Sequence, residues 1–127
     1  MRVMIIEQEK TIQRSLALFV ERLGDCEVFL AGSGKEGVSL FGSVHFDVVL
    51  CGDRLPDGNG LDVVKELMGK NPGIATILMT VHGDEHLKQE AMAAGVRAYL
   101  EKPFDLKQLE KAMQIPCPSL PPGGEKV

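Results

Sequence analysis

The chain has 127 residues, 44% of them hydrophobic and 25% charged, which suits a single globular domain able to bury a core without disulfide staples. Its net charge of -4 argues against a nucleic-acid groove on this piece of chain. Cys26, Cys51 and Cys117 are widely spaced, show no CxxC or Cys/His pattern, and read as reduced thiols of a cytoplasmic protein rather than a zinc site or disulfide scaffold.

Val3 to Ile6 is four apolar residues in succession and predicts a buried strand. Ile12, Leu16, Phe19, Val20 and Leu23 then fall on one helical face, with Gly24 placed to stop the helix. Cys26 to Leu30 alternates loosely, as an outer strand would. Ser33 and Glu36 have capping-box spacing and start a second helix, whose apolar face, Val38 with Phe41, is weak. Asp47 to Cys51 is a third strand, and Gly52 to Gly60 a loop punctuated by Pro56, Gly58 and Gly60. Leu61, Val64, Leu67 and Met68 mark a third helix, stopped by Gly69 and Pro72. Ile74 to Met79 is a fourth strand. Leu87, Ala91 and Ala94 mark a fourth helix, with Asp84 and Glu85 suiting its positive end and Gly95 closing it. Val96 to Leu100 is a fifth strand. Asp105 and Gln108 cap a last helix carrying Leu106, Leu109 and Met113.

Apolar strands alternating with helices belong in a parallel sheet covered on both faces, with right-handed crossovers. Sites in such sheets form at the carboxyl ends of the strands. That directs attention to Glu7 and Gln8, Gly52 and Asp53, Thr80, and Lys102. From Ile115 to Val127 the prolines and glycines suit neither helix nor strand. Residues 1–114 therefore read as the domain and 115–127 as a tail, either a frayed terminus or a tether to a further domain. No apolar run approaches the roughly 20 residues of a membrane span, and the N-terminus lacks the h-region of a signal peptide.

The segment from Asp47 through Gly52, Asp53, Pro56, Gly58 and Gly60 to Leu61 resembles the third strand and following loop of response regulator receiver domains. Thr80 to Asp84 looks like their fourth strand end, and Ala98 to Phe104, with Lys102-Pro103, like their fifth. The resemblance runs from residue 3 to about residue 113. It implies a flavodoxin-like, doubly wound (βα)5 fold with a five-stranded parallel sheet in the order 2-1-3-4-5. It also implies phosphoryl transfer from a histidine kinase to an aspartate. An acidic pair and the acceptor hold Mg2+, an ion that prefers oxygen ligands. A hydroxyl and an ammonium meet the phosphoryl oxygens.

Residue by residue, the resemblance carries over unevenly. Thr80 matches the hydroxyl, Lys102 the ammonium, Tyr99 the switch aromatic and Glu7 the first acid. Gln8 stands at the second acid position, where aspartate is usual. The acceptor position, four residues before Pro56, is Gly52; Asp53 is one residue late. Glycine cannot take a phosphoryl group. One carboxylate, Glu7, then faces one ammonium, Lys102, so the demand for Mg2+ is largely gone. Glu7 and Lys102 are expected to pair, contributing roughly 1 kcal/mol or less if partly exposed.

Strand alternation aims Asp53 away from Lys102 unless a bulge intervenes, leaving it an exposed loop carboxylate. Asp57 is expected to make the Pro-Asp-Gly turn. His45, His82 and His86 lack metal-spaced partners. No nucleophile-base pair or paired carboxylates suggest an enzyme, and Glu7-Gln8-Glu9-Lys10 is unlike the phosphate loop of a flavin site. The expected function is a phosphorylation-independent pseudo-receiver, without cofactor. It would bind a protein partner or itself through the fourth helix, fifth strand and last helix, and precede an output domain beyond Val127. The alternative is an ordinary phosphorelay receiver whose acceptor is Asp53.

Overall fold

Each apolar run becomes a strand, and each periodic stretch a helix packed across it. The computed structural model describes residues 1–113. In chain order the elements are β1 (Arg2–Ile6), α1 (Lys10–Arg22), β2 (Glu27–Ala31), α2 (Gly34–Ser43) and β3 (Val48–Gly52). There follow β4 (Arg54–Leu55), β5 (Gly58–Asn59), α3 (Gly60–Lys70), β6 (Ala75–Thr80), α4 (Glu85–Ala94), β7 (Ala98–Glu101) and α5 (Leu106–Met113). The main sheet is parallel throughout and runs β2-β1-β3-β6-β7. Setting aside the two-residue strands β4 and β5, this is the expected order 2-1-3-4-5, and the fold is flavodoxin-like. The reading of residues 115–127 as a tail falls outside the described residues.

Side-chain alternation along the strands sorts the core into two layers. Val3, Ile5, Val48, Leu50, Ile77, Met79 and Leu100 face α1 and α5, meeting Leu16, Val20 and Leu109. Met4, Ile6, Val49, Cys51 and Leu78 face the other way, under Leu61, Val64 and Leu67 of α3 and Ala91 of α4. The core strand β3 is buried along its whole length, which explains its unbroken apolar sequence.

The helix ends follow the local chemistry. The Ser33 hydroxyl accepts from the Glu36 amide at 3.1 Å, but the Glu36 carboxylate returns to the Gly32 amide, at 2.6 Å. Asp105 and Gln108 cap each other reciprocally, at 2.8 and 3.0 Å. Asp84 does more than complement a dipole, because its carboxylate accepts from the Leu87 amide at 2.7 Å.

Several features differ from expectation, three of them with a clear local cause. Helix α3 passes through Gly69 and ends at Lys70, with Asn71 extended, because one glycine costs a helix only about 1 kcal/mol while Pro72 disfavours helical backbone at the residue before it. The fifth strand starts at Ala98 rather than Val96. Gly95 takes φ 106° and the Val96 amide closes α4 by donating to the Ala91 carbonyl at 3.1 Å, so Val96 belongs to the helix stop. The loop after β3 contains a small hairpin: Arg54 pairs with Asn59 and Leu55 with Gly58, with Pro56 and Asp57 at its tip.

Gly60 is the tightest point of that loop. Its amide donates to the Asp53 carbonyl at 2.7 Å. A Cβ there would lie 1.8 Å from the Gly52 carbonyl oxygen, so only glycine lets the hairpin close onto the end of β3. Gly69, in the same helix, has nothing within 4 Å of its would-be Cβ. Gly60→Ala should lower unfolding stability by about 3 kcal/mol. Gly69→Ala should raise it by up to about 1 kcal/mol. Urea unfolding followed by circular dichroism checks both, and equal effects would contradict this account of the loop.

Candidate functional site

The register of the sheet decides which side chains meet at its carboxyl edge. Ile6 pairs with Cys51, which places Glu7 beside Gly52. Gly52 pairs with Met79, which places Asp53 beside Thr80, and Thr80 pairs with Glu101. Alternation puts Glu7 and Gly52 on the α1/α5 face with Met79 and Leu100. Asp53 and Thr80 fall one residue further along, on the α3/α4 face. The edge therefore holds two separate clusters.

The first cluster is an ion pair. The Lys102 ammonium donates to Glu7 Oε1 at 2.7 Å, with side-chain exposures of 17% and 5%. This is the pairing that the charge balance predicts, but it is more buried than expected, so breaking it costs more than a surface pair would. The second Glu7 oxygen accepts from the Glu9 amide at 3.1 Å. Glu7 Oε1 lies 3.0 Å from where a Cβ on Gly52 would sit. A side chain at position 52 would thus point straight at the Glu7 carboxylate. Gln8, the other expected pocket residue, is exposed.

Thr80 and Asp53 form the second cluster. The fully buried Thr80 hydroxyl donates to Asp53 Oδ2 at 2.7 Å and accepts from the His82 amide at 3.1 Å. The expectation of an exposed, outward Asp53 carboxylate is corrected here. Alternation does direct it off the Lys102 face, but that same turn brings it onto the Thr80 face, because the ladder continues one residue beyond β3: the Asp53 amide donates to the Met79 carbonyl at 2.8 Å. Asp53 is half-buried and borders a shallow cavity of about 310 Å³ with Arg54, Asp62 and Glu90. Lys65 of α3 lies 3.9 Å from Glu90 of α4 across the same cleft.

Tyr99 is half-buried against the α3/α4 layer, and its hydroxyl accepts from the Asp84 amide at 3.2 Å. Burial raises its phenol above the ordinary value. His82 is exposed and takes part through its backbone alone.

Two residues have roles beyond those expected. Asp57 sits in the turn as expected, but its carboxylate also crosses to α2, accepting from the Gly34 and Lys35 amides at 2.9 Å each. Those bonds hold its carboxyl below the usual carboxylate range. Its stabilising effect is therefore complete above the unfolded value of about 3.9 and is lost as the pH falls through the folded one. Gln13 is not among the residues that the sequence pattern singles out. It is buried, and its side-chain amide donates to the carbonyls of Glu7 and, at 3.2 Å, Ala31. Its place three residues before Leu16 and seven before Val20 puts it on the buried face of α1, which is a readable signal.

Comparison with known proteins adds the family. Residues 3–114 match the model described as response regulator receiver domain. The chain belongs to that family. It is 32% identical over 113 residues to the regulatory protein AtoC of Escherichia coli K12, covering 89% of this chain and 24% of that protein. It is 30% identical over 110 residues to the response regulator protein PilR of Pseudomonas aeruginosa, covering 87% and 24%. The chain thus spans about a quarter of these curated relatives. Among solved structures, a receiver domain protein from Clostridium thermocellum superposes with a TM-score of 0.82 at 32% identity, covering 87% of this chain and 89% of that one. The non-phosphorylated HemR receiver domain of Leptospira biflexa gives 0.82 at 24% identity, covering 94% and 98%, and attests the fold alone.

The buried pair in this receiver is testable by a double-mutant cycle. Glu7→Gln, which strands a mostly buried ammonium, should cost about 2 kcal/mol. Lys102→Met, which strands a more deeply buried carboxylate, should cost about 3 kcal/mol. The double variant should lose at least about 1 kcal/mol less than the two combined. Additive losses in urea unfolding would show that the two groups do not interact.

Proposed function

We propose that this receiver acts without phosphorylation, as a protein-interaction module, and that its acceptor position is Gly52. The observation that carries the reading is the placement of Glu7. Its carboxylate lies against the space that a side chain at position 52 would enter, and both its oxygens are engaged, by Lys102 and the Glu9 amide. A carboxylate already neutralised by an ammonium has little charge left for a cation.

The donor set also fits Mg2+ poorly. That ion demands near-octahedral oxygen coordination and is usually held by one or two free carboxylates. Here Gln8 is exposed and neutral, Gly52 has no side chain, and Asp53 lies on the other face, engaged by Thr80. Among the described residues no group of three or more His, Cys, Asp and Glu side chains is placed to hold a metal ion. No reaction step is therefore assigned to Mg2+ or to this chain as an enzyme.

In this reading the domain works in the cytoplasm and engages a protein partner, or a second copy, through the face built by α4, β7 and α5. It would regulate an output domain beyond Val127, which the length of AtoC and PilR accommodates. It touches neither nucleic acid nor membrane itself. No helix among the described residues is long and apolar enough to cross a membrane.

A second reading has one observation in its favour. Asp53 is half-buried and hydrogen-bonded to Thr80, the hydroxyl that the family uses at its phosphoryl site. A histidine kinase could then phosphorylate Asp53. Incubation with acetyl phosphate and Mg2+, read by intact mass, separates the two. The protein should stay unmodified. A stable gain of one phosphoryl group that disappears in Asp53→Ala would establish the second reading instead.

A further inference from the structure

We infer that Asp53 is a positioning residue, whose carboxylate holds the Thr80 hydroxyl and through it keeps the loop of residues 81–84 and the start of α4 in one conformation. The inference rests on the reading that Asp53 is not phosphorylated.

The bonds form a continuous series. Asp53 Oδ2 accepts the Thr80 proton at 2.7 Å, and the Thr80 oxygen accepts the His82 amide at 3.1 Å. With its proton and a lone pair both committed, the buried hydroxyl has one orientation. Two residues on, the Asp84 amide donates to the Tyr99 hydroxyl at 3.2 Å, and the Asp84 carboxylate caps α4 through the Leu87 amide at 2.7 Å. Between them Gly83 packs so closely that a Cβ would lie 2.6 Å from Glu101 Cδ and 2.7 Å from the Tyr99 hydroxyl. The loop is thereby fixed at both ends and pressed against β7 in the middle. Yet its outer surface carries little packing: Val81 is 57% exposed, and His82 and Asp84 are exposed as well. Few buried apolar contacts hold the loop, which gives the hydrogen bonds a large share in ordering it.

Of these bonds, the one from Thr80 to Asp53 has an ionised acceptor and anchors the loop to a different strand. Charge-assisted bonds are roughly twice as strong as neutral ones. Removing the carboxylate frees the hydroxyl to rotate and weakens the hold on His82. Removing the hydroxyl breaks this bond and also takes away the acceptor of the His82 amide, so its effect should be at least as large.

The test uses the untreated protein, with neither phosphodonor nor Mg2+, so that its outcome is independent of the acetyl phosphate experiment. Amide hydrogen exchange is read by NMR at His82 and Asp84. Asp53→Ala should speed exchange at both by roughly tenfold, the factor expected for losing a charge-assisted bond. Thr80→Val, which also removes the acceptor of the His82 amide, should speed it at least as much, and the double variant should be no faster than Thr80→Val alone. Asp53→Asn keeps an acceptor oxygen but not its charge and should recover part of the protection. Tyr99 is the protein's one tyrosine and it has no tryptophan, so intrinsic fluorescence should change in the Ala and Val variants and return towards wild type in the Asn variant. Unchanged exchange in Asp53→Ala, additive effects of the two substitutions, or an Asn variant as fast as the Ala variant would each overturn the inference.

Discussion

The arrangement of the carboxyl edge depends on one ion pair, between Glu7 at the end of β1 and Lys102 after β7. It spans the sheet, passing over β3 and β6, and meets β3 where the chain is glycine. That glycine is what permits the arrangement. The Cβ of an acidic residue at 52 would lie 3.0 Å from Glu7 Oε1, and two like charges would then compete for one ammonium in a partly buried setting. With Gly52, the local charge is balanced by one acid and one base. The pair ties the end of β1 to the segment after β7.

Register explains why the remaining groups went elsewhere. Because Gly52 aligns with Met79, Thr80 lies beside Asp53 and not beside Gly52. The hydroxyl and the ammonium each engage a carboxylate of their own: Thr80 bonds to Asp53 and Lys102 to Glu7. The result is two satisfied hydrogen-bonded pairs with no buried side-chain polar atom lacking a partner among the described residues. Satisfaction of this kind favours a single conformation, since moving either pair would leave a polar group buried and unpaired.

Much of this arrangement is legible in the order of the residues. The unbroken apolar runs from Val3 and Val48 suit only interior strands, and the spacings of Ser33 with Glu36 and Asp105 with Gln108 mark helix starts that form where expected. The charge balance of the residues at the strand ends pairs Glu7 with Lys102, as the structure has it. What stays hidden is lateral. Alternation along β3 says that Asp53 leaves the Lys102 face, but which neighbour waits on the other face is set by pairing with β6, between residues 27 positions apart in the chain. The reach of Asp57 to the amides of α2 is hidden for the same reason. Gln13 differs, because its helical position already places an amide on the buried face. Val96 shows a further limit: an apolar residue can serve a helix stop as readily as a strand start, and only the hydrogen bond to Ala91 decides.

The central claim is that Glu7 is committed to Lys102 and unavailable to a divalent cation. A Mg2+ titration observed by NMR at the amides of Glu7, Glu9, Gly52 and Asp53 tests it most directly. With Glu7 so committed, these amides should show no saturable shift beyond the general effect of ionic strength, in wild type and in Glu7→Gln alike. A saturable, one-to-one shift centred on Glu7 and Gly52 that Glu7→Gln abolishes would contradict it.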